Sequence, residues 1–412
     1  MALHETSPGK HATTSYRLLV RTEGVAALLM VSLVARLPVG FYSLAILLWV
    51  RAVSGSFAIA GAATAAFSIS RAVAAPLQGA LVDRLGQTRV LTPMAFGQAV
   101  AIASAWAAAR AGAEIAVVVA VAFAGALIPP LAGCLRALWP IVCGDPSNTR
   151  LAYALDAISQ ETIWIVGPLI LAGVIAVASP GDGVIVAAVG TLAGTYMFAK
   201  LQSVRAWSPA PGHRRVGRAL RDARIWWVLG SSAWVGCTWG CLLVGLAASA
   251  PRIHERGVAP ILVAVVSAGS IGGGLAYTRV AASRRAPAVS HRRQILVACS
   301  VAEVPLVFAN SLWLLLLGSL IAGLPFAAFL GNQYTLIGEA VPGQGAVEAF
   351  TWHNALFGGG VAIGAAAAGA VVSANATAAF ALAAAASAVA ALTAGRKRLG
   401  RAPDSAARAT LF

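Results

Sequence analysis

Long apolar runs, repeated along the whole chain and divided by short basic loops, constrain this sequence more than any other feature. A helix needs about 20 mainly apolar residues to cross the hydrocarbon core of a bilayer. Twelve such runs can be read, over roughly 22–48, 57–80, 90–110, 114–137, 153–178, 183–203, 226–250, 259–281, 294–310, 312–337, 347–373 and 375–394. Lipid offers a backbone no hydrogen-bond partners, so each run is expected to be helical. Only 11% of the 412 residues are charged, where a soluble domain carries about 25%. The expected fold class is an all-α polytopic membrane protein with twelve transmembrane helices.

The loops set the topology. Lys200 to Arg224 is the longest polar stretch between runs, with Pro209, Pro211, Gly212 and seven basic residues, and it divides the spans six and six. The chain therefore reads as an N-terminal segment (1–21), a six-helix bundle (22–203), a linker (204–225), a second six-helix bundle (226–394) and a tail (395–412). With the N-terminus cytoplasmic, that side collects 24 Lys and Arg and the other side only Arg51, Arg110, Arg252 and Arg256. This bias predicts both termini, the linker and the tail on the cytoplasmic side of the cell membrane. Met1 to Tyr16 is polar and shows no signal-peptide pattern. The net charge of +16 is thus a consequence of topology, and nucleic acid is not an expected partner. The five cysteines are odd in number and fall nearly all in apolar runs, which reads as packing rather than a disulfide framework or a metal site.

One loop stands out. Gly79-Ala-Leu-Val-Asp-Arg-Leu-Gly-Gln-Thr-Arg89 joins the second and third runs and holds three charges. A charge at the bilayer centre costs about 2.5–3.5 kcal/mol on insertion scales, so the loop must lie outside the hydrocarbon. The order Gly79, Leu81, Asp83, Arg84, Gly86, Arg89 resembles the signature between the second and third helices of major facilitator superfamily transporters. That resemblance implies two pseudo-symmetric six-helix halves with a binding site between them near mid-membrane. It also implies that Asp83 sits near the start of the eleventh helix, where the helix dipole favours an anion. Glu348 would lie in that helix's first turn, in reach of Arg84 or Arg89. By pseudo-symmetry Asp156 would meet Arg284 or Arg285. Gly79, Asp83, Arg84, Gly86, Arg89, Glu348 and Asp156 then form a cytoplasmic gate. The second-half counterpart, Gly274 to Arg279, keeps a glycine and an arginine but no acid.

Internal repetition points the same way. Asp156-Ala-Ile-Ser-Gln-Glu161 through Gly167 aligns with Glu348 through His353 and Gly359 at one constant offset. Gly167-Pro168 resembles the bend of the fifth helix in drug–proton antiporters of the superfamily, the branch that exports drugs and natural products. Physically, Pro removes a backbone hydrogen bond and Gly permits close packing. The Arg-x-x-Gln-Gly element of that branch's fourth helix is missing; Ala124 to Pro130 stands there instead.

Ionisable groups inside runs are costly and mark function or ion pairing. Arg36 and Arg71 are the intramembrane cations. Each can serve substrate or a buried structural pair, such as Arg36 with Glu161. Glu161, Glu303 and His353 are the proton-coupling candidates, because a titratable group in an apolar cavity changes its hold on neighbours as it gains or loses a proton. His353, beside Asn354, also reads as a hydrogen-bonded core residue. Trp234, Phe326, Asn332 and Tyr334 are candidate cavity residues, with lipid-facing packing as the alternative for the aromatic ones, and Trp226 and Trp227 fit an interfacial belt. No phosphate-binding GxxxxGK[ST] loop, nucleophile elbow or HExxH pair is found, so neither ATP drive nor an enzyme is expected.

The expectation is a monomeric secondary transporter whose partners are a small-molecule substrate, protons and the lipid bilayer, without cofactor or metal. Proton-coupled export of amphipathic compounds is the first reading. Uptake or facilitated transport of an organic anion or nutrient is the second, and a non-transporting membrane sensor is the third.

Overall fold

A computed structural model describes residues 24–55, 57–208, 223–249, 258–283, 288–341, 345–372 and 376–394. The segment 1–21, most of the linker, the tail and the arginines 284 and 285 lie outside the described residues. Among the described residues the chain is helical with no strand. Ten helices among the described residues are long and apolar enough to cross a membrane, and the eighth span adds a shorter apolar stretch, Ile261–Tyr277.

Three spans expected to be continuous are broken, each at a proline. The first is Val25–Arg36 and Tyr42–Ser54 around a 3-10 turn, Leu37–Gly40. The fourth is Glu114–Ala126 and Leu131–Cys143, divided by Pro129 and Pro130. The tenth is Leu312–Gly323 and Phe326–Ala340, divided by Pro325. Proline has no N–H to donate and clashes with the preceding turn, so the helix stops and restarts. The restart carries the fourth span to Cys143, beyond the edge expected near 137. The other spans are Phe57–Leu85, Gln87–Arg110, Pro146–Val177, Pro180–Lys200, Ala223–Ser249, Val258–Ser283, Ala288–Val307, Ala346–Val372 and Ala376–Ala394.

Local chemistry fixes the helix starts. Gly86, at φ 98, makes the turn between the second and third spans, a backbone angle that favours glycine. Asp145 caps the fifth span by accepting the Asn148 N–H at 3.0 Å. The Ser147 hydroxyl also donates to Asp145 and holds its carboxyl below the usual carboxylate range. Ser179 and Asp182 form a reciprocal capping box at the sixth span.

The two halves are joined at one end and separate at the other. At the end carrying the Gly79–Arg89 loop, one buried cluster unites first-half Leu135 and Tyr153 with second-half Tyr334 and Phe350. At the far end each half has its own core: Tyr42, Phe67, Ile102 and Leu171 in the first, Leu246, Val266, Leu306 and Phe380 in the second. Glycines set the close approaches. A Cβ at Gly79 would lie 2.8 Å from the Glu348 Cα of the eleventh span. One at Gly331 of the tenth would lie 3.2 Å from the Ala154 Cα of the fifth. Within the second half, Gly236 and Gly240 of the seventh span abut the backbone of the eleventh at Phe357 and Val361, and Gly360 and Gly364 return the contact at Ala233 and Cys237. Gly236 and Gly240, four residues apart on one face, are therefore occupied by packing within the chain.

Candidate functional site

Beside the buried cluster that unites the halves, two arginines share one aspartate. Asp156 Oδ1 lies 2.8 Å from Arg36 Nη1, and Oδ2 accepts from Arg136 Nε at 2.7 Å. All three side chains are buried. Arg36 also donates to the Ser32 carbonyl at 3.1 Å and to the Ser159 hydroxyl at 3.2 Å. The break in the first span puts Arg36 at a helix end, where it reaches across to the fifth. The expected pairing of Arg36 with Glu161 is thus corrected to Arg36 with Asp156. So is the gate role expected of Asp156: it lies several turns inside the fifth span, enclosed between Arg36 and Arg136 and not at the surface.

Arg136 is the residue the sequence reading missed. Counted there with the cytoplasmic loops, it lies buried in the helix that Pro130 restarts. The signal was present, since Pro129-Pro130 ahead of an apolar stretch is a helix restart. Arg136 also bridges the halves: its guanidinium stands 3.7 Å over the Tyr334 ring of the tenth span, and Nη1 is 3.5 Å from Asn354 Oδ1 of the eleventh. Two cations against one anion leave the cluster net positive.

Glu161 lies about one and a half turns beyond Asp156 on the fifth span, also buried. Its carboxyl stands near Ser267 and Ser270 of the eighth span, across the seam between halves, and the Ser270 hydroxyl makes no hydrogen bond among the described residues. No ion pair involves it; those among the described residues are the two on Asp156. His353 sits in the second half, its Nδ1 2.7 Å from the Ser232 Oγ of the seventh span, with its ring edge-on to Tyr334. Gln333 donates to the same Ser232 Oγ at 2.8 Å and to Ser231 Oγ at 3.1 Å, so the tenth span is tied to the seventh. Glu303 lies apart, inside the second bundle, where Ser387 donates to its Oε1 at 3.4 Å.

Aromatic side chains continue from this centre. Phe326, the first residue after the tenth-span break, stacks on Trp239 at 4.8 Å and meets Phe357 at 6.2 Å. Asn332 is buried and meets Tyr277 of the eighth span. Trp234 is 40% exposed and stands outside this group. Arg71, half-buried in the second span, takes part in no ion pair among the described residues.

At the loop end, Asp83 accepts the backbone N–H of Val347 at 3.4 Å and of Glu348 at 2.8 Å. Arg84 and Arg89 are exposed and Glu348 is buried. Gly167 of the fifth span meets the turn of the first: a Cβ there would lie 3.0 Å from the Gly40 Cα. The constant offset makes Gly359 its counterpart, but Gly359 has nothing within 4 Å and its neighbour Gly360 makes the packing contact.

No family model matches the sequence, and no curated protein matches it significantly. Solved structures do match in fold. A bacterial homologue of the iron transporter ferroportin, in an outward-facing state with soaked iron, gives a TM-score of 0.72 at 15% identity over 90% of this chain and 98% of that one. The human organic anion transporter MFSD10 (TETRAN) gives 0.67 at 17% identity, over 90% and 98%. A major facilitator superfamily transporter, FucP, in the outward conformation gives 0.65 at 19% identity, over 90% and 97%. The chain has the fold these transporters share.

Proposed function

We propose that this chain, folded like a major facilitator superfamily transporter, is a proton-coupled secondary transporter that exports amphipathic small molecules by rocking one six-helix half against the other. The observation that carries this reading is Glu161: a buried carboxyl at the seam, beside Ser267 and Ser270 of the other half and in no ion pair among the described residues. Its neutral form can sit there hydrogen-bonded, whereas its charged form gains by hydration and therefore favours an opened seam. A proton that binds one arrangement better than the other shifts the balance between them, and that difference is the coupling. The Asp83–Glu348 contact acts as the gate at the loop end, and the bend at Gly167-Pro168 keeps the fifth span against the first. The Trp239, Phe326 and Phe357 cluster beside the polar Arg136–Tyr334 contact supports a cargo with both apolar and polar parts.

A second reading, uptake of an organic anion, is favoured by one observation: the excess positive charge of Arg36 and Arg136 over Asp156. Among proteins of the same fold are an organic anion transporter and a bacterial homologue of an iron transporter, so the fold does not choose the cargo. Inside-out vesicles choose the direction. An exporter accumulates its compound in them when the lumen is acidic, a symporter needs the opposite gradient, and a protein that moves nothing under either gradient is not a transporter.

A further inference from the structure

A cation without an anion lies buried at the loop end of the second half. Arg292, near the start of the ninth span, Ala288–Val307, is 2% exposed. Its guanidinium stands 3.6 Å over the Trp227 ring of the seventh span, and its Nη2 donates to the Trp227 carbonyl at 2.7 Å. Nε and Nη1 have no hydrogen-bond partner among the described residues. Nor does Arg292 take part in an ion pair there. Trp227 is held in turn by the twelfth span, its Nε1 donating to the Thr393 carbonyl at 3.2 Å. The starts of the seventh and ninth spans and the end of the twelfth thus meet around one guanidinium, beside Ile225, Ile295 and Ala394 of the buried cluster at the loop end.

A charge taken out of water costs several kcal/mol unless a counter-charge answers it. A ring face and one carbonyl attract the guanidinium but do not neutralise it. Its place selects the anion. Trp227 is half-buried and Trp226 beside it is 47% exposed, and tryptophans at span ends sit at the level of the lipid headgroups. Arg293 and Gln294, next along the ninth span, are exposed. In the sequence Arg284 and Arg285 precede this span, and Arg396, Lys397 and Arg398 follow the twelfth. Basic residues gathered at span ends draw anionic headgroups to that face of a membrane. A phosphodiester carries one negative charge and two acceptor oxygens, which suits one guanidinium with two nitrogens still to be satisfied.

We propose that Arg292, framed by Trp227, binds the phosphate of an anionic membrane lipid at the loop end of the second half. The Trp227 Nε1–Thr393 contact is exposed, so the ring that stacks on Arg292 reaches the surface, and a headgroup enters by displacing its outer edge. The ring covers one face of the guanidinium, so the phosphate meets it in its own plane, where the N–H groups point. A bound lipid thereby fastens together the ends of the seventh, ninth and twelfth spans. The site stands on the second bundle alone and does not rest on the role given to Glu161.

Thermal unfolding of the purified full chain in detergent tests it, titrated with phosphatidylglycerol, with zwitterionic phosphatidylcholine or with inorganic phosphate at constant ionic strength. The expected result is a saturable upward shift in Tm with phosphatidylglycerol and none with the other two at the same concentration. Arg292→Gln should raise the midpoint of that titration about tenfold or more, the scale of one lost charge-assisted hydrogen bond. Arg293→Gln, at the exposed neighbour, should leave the midpoint in place. Native mass spectrometry of the unaltered protein, displacing a retained phosphatidylglycerol with labelled phosphatidylglycerol and not with phosphatidylcholine, gives the same answer should a variant fail to fold. Equal shifts with the two lipids, a midpoint unmoved in Arg292→Gln, or the absence of saturable phosphatidylglycerol binding would each overturn the site. An equal shift with inorganic phosphate would make it a site for a free anion and overturn the lipid.

Discussion

The carboxylate of Asp83, at the end of the second span, accepts the backbone N–H of Glu348, 265 residues later in the chain, at 2.8 Å. This is an anion on a helix N-terminus, and it joins the halves at the loop end. Hydrogen bonds to charged groups contribute about 1.5–3 kcal/mol. Asp83→Ala should therefore shift the balance toward an opened loop end by roughly tenfold or more, with the protein still inserted in the membrane. Faster thiol labelling at half-buried Cys143, with the other cysteines replaced, reads that opening, and transport should fall with it. Undiminished transport in Asp83→Ala would count against a gate.

What the sequence could reveal follows from the range of each interaction. The spans and the Gly79–Arg89 loop are legible because hydropathy and charge act locally. The partners of Asp156 are not, because Arg36 and Arg136 reach it from two other helices and nothing local encodes the meeting. Arg136 counts with the cytoplasmic charges because it stands at the last residues of the run read as 114–137, whereas the helix restarted after Pro129-Pro130 continues to Cys143 and buries it. The repeat was legible as an offset, yet the glycine that packs is Gly360 and not Gly359, since close packing depends on which helix face meets the neighbour.

That last distinction makes a sharp stability test. A Cβ at Gly360 would stand 2.9 Å from the Ala233 carbonyl carbon and from the Cys237 nitrogen, both backbone atoms that cannot turn aside. Gly360→Ala should destabilise by about 1–3 kcal/mol, as overpacking does. Gly359→Ala meets nothing within 4 Å and replaces glycine within a helix, so it should be neutral or stabilising by up to about 1 kcal/mol. Unfolding of the two variants in detergent, side by side with the parent, gives the comparison.

Removing the shared anion should cost more than removing either cation. Asp156→Asn strands Arg36 and Arg136 together, and breaking a buried pair typically costs about 3–5 kcal/mol. Arg136→Gln leaves Asp156 with Arg36 at 2.8 Å and should lower Tm less. Arg136→Lys keeps the charge but loses the planar stack on Tyr334, so its stability should stay near the parent while transport drops. Tm and transport measured on all three separate the holding role of Asp156 from the bridging role of Arg136.

Glu161 and Arg71 divide the two transport readings. Glu161→Gln fixes the neutral form at the seam, so net movement driven by a pH gradient should be lost. Exchange of labelled for unlabelled compound across the same vesicles needs no net proton movement and should persist. Loss of both would make Glu161 a packing residue facing Ser267 and Ser270. Arg71 takes part in no ion pair among the described residues, so Arg71→Ala should leave stability nearly unchanged and leave transport of an uncharged or cationic amphipathic compound intact. If the cargo is an organic anion instead, that variant should weaken its uptake about tenfold or more, the scale of one lost charge-assisted hydrogen bond. Transport of paired neutral and anionic probes by the parent and by Arg71→Ala decides between them.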